Sequence, residues 1–119
     1  MKRSFQIKTV TVPANSTKTE MLQLRETYKR CTGIFAVPQT AETDLSPISL
    51  TCKIAQNEIL PQGTDIVFLT FNGNSSLKDV VYDFAKDNIP AKSSDAELEF
   101  KNSSANDLTF NFYFVLEND

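Results

Sequence analysis

Histidine and tryptophan are both absent from this 119-residue chain. Without histidine there is no Ser-His-Asp or Cys-His nucleophile, and the commonest metal ligand is missing. The two cysteines, Cys31 and Cys52, are too few for a disulfide scaffold or a zinc site. Cys52 falls in the apolar register of a strand and reads as a buried thiol, while a Cys31–Cys52 bridge is left open by the sequence. Only three glycines are present, and none forms a phosphate-cradling loop, a Walker motif or a dinucleotide fingerprint. No EF-hand spacing occurs among the carboxylates. No apolar run approaches the roughly 20 residues that span a bilayer. The start, "MKRSFQIKTV", lacks the apolar stretch of a signal peptide. The expectation is a protein made in a cytosol, with no cofactor and no membrane partner.

Charge narrows the classes further. A net charge of -3 disfavours nucleic acid, whose phosphates need a basic surface. The charge is uneven, with eight basic and four acidic residues in 1–53, and four basic and eleven acidic in 54–119. Folding can mix the two halves, or it can leave a polarised molecule that stacks basic face on acidic face. Three sequons, at Asn15, Asn74 and Asn102, sit in Ser- and Asn-rich stretches and read as turn chemistry.

What is present is aromatic and periodic. Nine Phe and three Tyr supply large burial area. Alternation with period two runs through 4–12, 18–24, 48–55, 95–101 and 108–117, and predicts strands. In 4–12, Phe5 and Ile7 form the apolar face against Gln6 and Lys8. In 48–55, Ile48, Leu50, Cys52 and Ile54 point one way. In 108–117, Leu108, Phe110, Phe112, Phe114 and Leu116 share a face, with Thr109, Asn111, Tyr113 and Val115 on the other. The segment 29–37 is apolar at its end. "DIVFLTF" at 65–71 is apolar on both faces and predicts a central or doubly covered strand. Near 76–87, Leu77, Val80, Val81 and Phe84 have helical spacing behind a Ser76 cap, so a short helix is expected, with a strand over 79–85 as the rival.

A longer pattern, an apolar residue, a proline, two or three small or polar residues and then a strand-like run, recurs three times, at Val12-Pro13, Leu60-Pro61 and Ile89-Pro90. Proline removes a ladder donor and forces its predecessor extended. Each copy is therefore either a corner where the chain crosses between sheets or an independent turn. Together these features predict an all-β fold: a single antiparallel β-sandwich over 1–119, jelly-roll-like, with seven or eight strands.

Candidate chemistry is thin. Fifteen acidic residues would allow two-carboxylate catalysis. Glu97 and Glu99 share the solvent face of one strand, however, and Asp79, Asp83 and Asp87 would line one face of the expected helix, so neither set spans a cleft. Tyr28, Tyr82 and Tyr113 are the only rings with a polar tip. The segment "LRETYKRCTG" has interface composition, and Arg25, Tyr28, Lys29 and Arg30, with Tyr113, are the candidate interface residues.

The cadence "QIKTVTVPANSTKTEMLQL…YKRCTGI…ISLTCKI…EILPQGTDIVFLTF…NIPAKSSDAELEF" resembles small jelly-roll or β-sandwich virion proteins of tailed bacteriophages, notably crAss-like phages of Bacteroidetes. The likeness rests on the Ile89-Pro90-Ala91 corner and on the Tyr28–Gly33 segment with Arg30 two residues after the tyrosine. It implies a non-enzymatic capsid accessory, vertex or fibre-base component of the virion. Its partners would be other copies of itself and other virion proteins. The doubly apolar segments 65–71 and 110–116 are then expected to supply subunit contacts. A carbohydrate- or cell-surface-binding module, with Tyr113 or Tyr28 lining a groove, is the alternative. A small-molecule ligand is not expected.

Overall fold

In the computed structural model, residues 2–25, 27–40, 43–70, 81–87, 89–92 and 94–118 are described. Their strands are β1 (Lys2–Val12), β2 (Thr17–Gln23), β3 (Arg30–Pro38), β4 (Ile48–Ile54), β5 (Asn57–Asp65), β6 (Tyr82–Asp83), β7 (Ile89–Pro90), β8 (Asp95–Asn102) and β9 (Leu108–Asn118). Sheet I has the order β1-β9-β3-β6, with β7 also on β3; sheet II has the order β2-β8-β4-β5. Every strand pairing is antiparallel and the pairs are nested: β1 with β9, β2 with β8, β3 with β6 and β7, β4 with β5. This folded-hairpin nesting, wound over two sheets, is the strand order of a jelly roll, with β6 and β7 together taking the place of one strand. The all-β sandwich expected from the alternation is the fold observed.

The core between the sheets follows from the alternation. Phe110, Phe112, Phe114 and Leu116 of β9 are fully buried, as are Ile48, Cys52 and Ile54 of β4, and Ala96 and Phe100 of β8. Phe100, from sheet II, meets Phe110 edge-on at 5.2 Å and Phe112 at 5.7 Å, both from sheet I. Each such side chain contributes roughly 1.5–3 kcal/mol by leaving water. These rings hold the two layers together.

Proline acts largely as read. Pro13 and Pro90 stand where the chain leaves sheet I for sheet II, and Pro38 and Pro47 bracket the crossing from β3 to β4. After Pro13, Asn15 takes a left-handed φ of 52° and the chain turns into β2. Asn102 fastens this corner: its buried amide donates to the carbonyls of Val12 and Asn106, and its Oδ1 accepts from the Ser104 main-chain N–H. Asn102 is therefore turn chemistry, as expected of that sequon. Pro61 is different. It lies within β5, where Pro61, Gln62 and Gly63 bulge opposite the single residue Thr51, and the chain stays in sheet II. The corner expected at Leu60-Pro61 is an edge-strand bulge instead, a site where a missing donor costs nothing.

Two further expectations are corrected. Over the described part of 65–71, residues 65–70, there is no central strand. The fifth strand lies earlier, at 57–65, joined to β4 by a two-residue turn in which Ala55 and Gln56 have φ of 51° and 68°. Ile66–Leu69 then winds into a 3₁₀ turn, with Ile66 and Leu69 buried and Val67 and Phe68 exposed. Three-residue spacing explains this division better than strand alternation does. Phe71 lies outside the described residues. The expected helix near 76–87 falls partly on 76–80, also outside them. Within 81–87 there is the two-residue strand β6 and a single 3₁₀ turn, Ala85–Asp87, so Asp83 and Asp87 share no helical face. No helix among the described residues is long and apolar enough to cross a membrane.

Cys31 and Cys52 are buried and free. Burial pushes the Cys31 thiol up to about 12, against a smaller lowering by a main-chain hydrogen bond from Gly33. Burial also raises Cys52, and nearby Cys31 adds to the rise.

Candidate interaction surface on sheet I

The first strand decides where the surface lies. Its register against β9 runs without a break from Lys2↔Asn118 to Val12↔Leu108. One parity must therefore face inward throughout, and Val10 and Val12 are the buried ones. Phe5 and Ile7 consequently point outward, at 38% and 52% exposure, opposite to the expected face. The inward positions near the same end are polar. Lys8 pairs with Glu20 of β2 at 3.6 Å, and Gln6 donates to the Gln23 carbonyl and accepts from the Arg25 main-chain N–H. The rim of the sandwich between β1 and β2 is thus a polar seam.

The outer face of β1 and β9 falls into three zones along the strands. At one end hydroxyls and an amide pair across the strands: Thr11 with Thr109 at 2.9 Å, and Thr9 donating to Asn111 at 2.7 Å. In the middle, Ile7 lies opposite Tyr113, and Phe5 opposite Val115. At the other end Arg3 lies opposite Glu117 and donates to its Oε2 at 2.7 and 3.1 Å.

The middle zone continues onto β3. Phe35 stacks on Tyr113 at 4.5 Å with planes 11° apart, and Phe5 meets both rings edge-on, at 5.6 and 6.0 Å. Phe35 is 2% exposed and Val115 4%, although both belong to the outer face. Gly33 makes room beside them. A Cβ there would stand 2.7 Å from Val81 Cγ1 and 3.5 Å from Val115 Cγ2. The outside of sheet I thus carries a small apolar layer of its own, open on the β1 side at Phe5 and Ile7.

The ionic end holds a buried carboxylate. Glu117 is 4% exposed and takes Arg3, Arg30 Nη2 at 3.7 Å and the Thr32 hydroxyl at 2.9 Å. A bulge between Cys31 and Gly33 turns Thr32 outward onto that carboxylate.

The candidate residues from the sequence do not gather in one place. Tyr113 is at the centre of the aromatic layer. Arg30 shares its face but lies opposite Glu117, four residues along β9 from Tyr113, about 13 Å away. Tyr28 packs half-buried against the core, so its ring is structural. Lys29 is exposed, with its main-chain N–H held by Asn118, and Arg25 reaches Ser4 at 3.5 Å. Sequence reasoning missed Phe5, Ile7, Phe35 and the Arg3–Glu117 pair as surface features. The signal for the first two was present: they have opposite parity to Val10 and Val12 within one strand.

The outside of sheet II is unlike this. It carries Thr19, Thr51, Lys53, Glu58, Glu97 and Glu99 around a shallow groove of about 360 Å³. Two further grooves lie beside Asp44 and Asp107, and beside Gln62 and Lys101. No aromatic ring lines any of the three. The two halves of the sequence interleave in both sheets, because β1 and β3 pair with β9 and β2 and β4 with β8. No protein-family model matches the chain, nor does any curated protein or solved structure.

Proposed function

We propose that this protein is a non-enzymatic assembly component that works through protein–protein contacts, self-associating and docking on a larger shell. The resemblance noted above makes a tailed-phage virion the setting: a capsid accessory, vertex or fibre-base part. The observation that carries the reading is the open aromatic layer on sheet I, where Phe5 and Ile7 remain in water beside Phe35 and Tyr113. An apolar strip of this kind on a rigid sheet is what a partner covers. The jelly-roll order agrees with the reading without deciding it, since the same fold builds capsids, lectins and cupins.

The test is molar mass by light scattering after size exclusion, over a range of concentrations, with the protein's presence in purified particles as a second readout. A defined oligomer that Phe5→Ser weakens is expected. A monomer at every concentration that is also missing from particles would overturn the assignment. Saturable binding on a glycan array, reduced by Tyr113→Ala, would favour the carbohydrate module instead.

A further inference from the structure

We infer that two copies of this chain join through their β1 edges, antiparallel about a two-fold axis at Gln6, making one continuous sheet from the two copies of sheet I. The inference rests on the self-association reading above and specifies its geometry. Its ground is a difference among the four sheet edges. An unpaired strand edge is a template for another strand, and proteins blunt such edges with bulges, prolines or short strands. On sheet II, β5 carries Pro61 and a bulge, and the end of β2 has its Gln23 carbonyl and Arg25 N–H occupied by the Gln6 side chain. The far edge of sheet I is broken into β6 and β7, of two residues each. Only β1 is long, eleven residues, without bulge or internal proline, and paired among the described residues with β9 alone. The exposed apolar side chains Phe5 and Ile7 sit on that same strand. A strand added there would satisfy the open ladder and cover the open side of the aromatic layer together.

The occupant follows from self-complementarity. In an antiparallel pair, directly opposite residues share a face, so only registers matching parity to parity keep Phe5 and Ile7 on one side. With Gln6 opposite Gln6, Phe5 lies opposite the second copy's Ile7, and Ile7 opposite its Phe5. Ser4 then faces Lys8, and Arg3 faces Thr9. Both apolar residues meet an apolar residue, and no like charges are opposed within residues 3–9. Aromatic with β-branched is a favoured cross-strand pair. A shift centring on Phe5 sets Ile7 opposite Arg3. One centring on Ile7 sets Phe5 opposite Thr9, and one centring on Lys8 opposes two lysines. The contact is isologous, so each side supplies what the other needs. Lys8, an inward-pointing charge of the kind that guards edges, is already engaged by Glu20 and faces a serine in this register.

A cysteine scan tests the register. Cys31 and Cys52 are buried, so a cysteine placed singly at 4, 5, 6, 7 or 8 is the accessible thiol. Residues on the two-fold axis have Cα atoms about 4.5–5.5 Å apart, within disulfide range. Under mild oxidation Gln6→Cys should give a covalent dimer, and the other four variants at least tenfold less. As a second measurement, Ile7→Lys should weaken the wild-type oligomer at least tenfold while leaving its circular dichroism unchanged, and its thermal midpoint should equal the wild type's at concentrations low enough for both to be monomeric. If the wild-type protein is oligomeric but cross-links best at another position, or tolerates Ile7→Lys, the β1 inference falls and the assembly reading stands. A wild-type protein that is monomeric at every concentration overturns the β1 inference, and overturns the assembly reading as well if it is also missing from particles.

Discussion

The two outer faces of this sandwich are built by the same antiparallel pairing rules, yet only one resembles an interior. Outside sheet II, alternation runs as half-solvated sheets usually do, with Leu98 and Phe100 inward and Glu97 and Glu99 outward. Outside sheet I, β9 and β3 present Tyr113, Val115 and Phe35, and two of these are as buried as core residues. The difference teaches that burial in this molecule does not end at the space between the sheets. Among the described residues, sheet I is partly covered by its own side chains and by Val81, and the cover stops at β1.

That contrast can be broken in several ways, each read by urea denaturation. The largest expected effect is Phe35→Ala, which should cost about 3 kcal/mol because it empties a filled position between Tyr113 and Phe5. A cost under about 0.5 kcal/mol would mean that the layer is ornamental. Next comes Glu117→Gln, which weakens charge-assisted hydrogen bonds from Arg3 and the Thr32 hydroxyl and should cost about 2 kcal/mol.

An effect that is nil at neutral pH and appears only in alkali probes what lies between the faces. The Cys31 pKa is raised on folding from the ordinary 9.0 to about 12. An acid whose folded value is raised lends stability that is complete below the unfolded value and is lost as pH climbs through the folded one. Stability should therefore decline between about pH 9 and 12, by at most about 1.4 kcal/mol per pH unit per thiol. Cys31→Ala should flatten that slope, and an unchanged slope would place the alkaline loss elsewhere. The smallest effect is on sheet II, where Glu99→Gln should change stability by less than about 0.5 kcal/mol.

The sequence disclosed most where one face is buried and one is wet. The inward set of β4 and the Phe110–Leu116 stripe of β9 can be read straight from alternation, because water on one side makes the period visible. It misled where both faces are partly apolar. In β1 the Phe5–Ile7 pair outweighed Val10 and Val12 as a marker of the inside, although unbroken pairing allows only one parity there. The run 65–71 looked like a buried strand because Ile66 and Leu69 are buried, but at a spacing of three. The real fifth strand, "NEILPQGTD", hides behind a proline and a glycine that an edge bulge accommodates. Of the candidate interface residues, Tyr113 has an outward position that its register on β9 already implied. Arg30 was found through composition, and its role as a ligand of buried Glu117 needed the third dimension.

Main-chain hydrogen exchange along β1, compared at low and high protein concentration, tests the central claim most directly. If the open side of sheet I is where copies meet, alternate amides between residues 3 and 9 should exchange at least tenfold more slowly in concentrated solution, while those of β5 stay unchanged. Equal rates on β1 at both concentrations, in a protein whose mass has risen, would contradict the account.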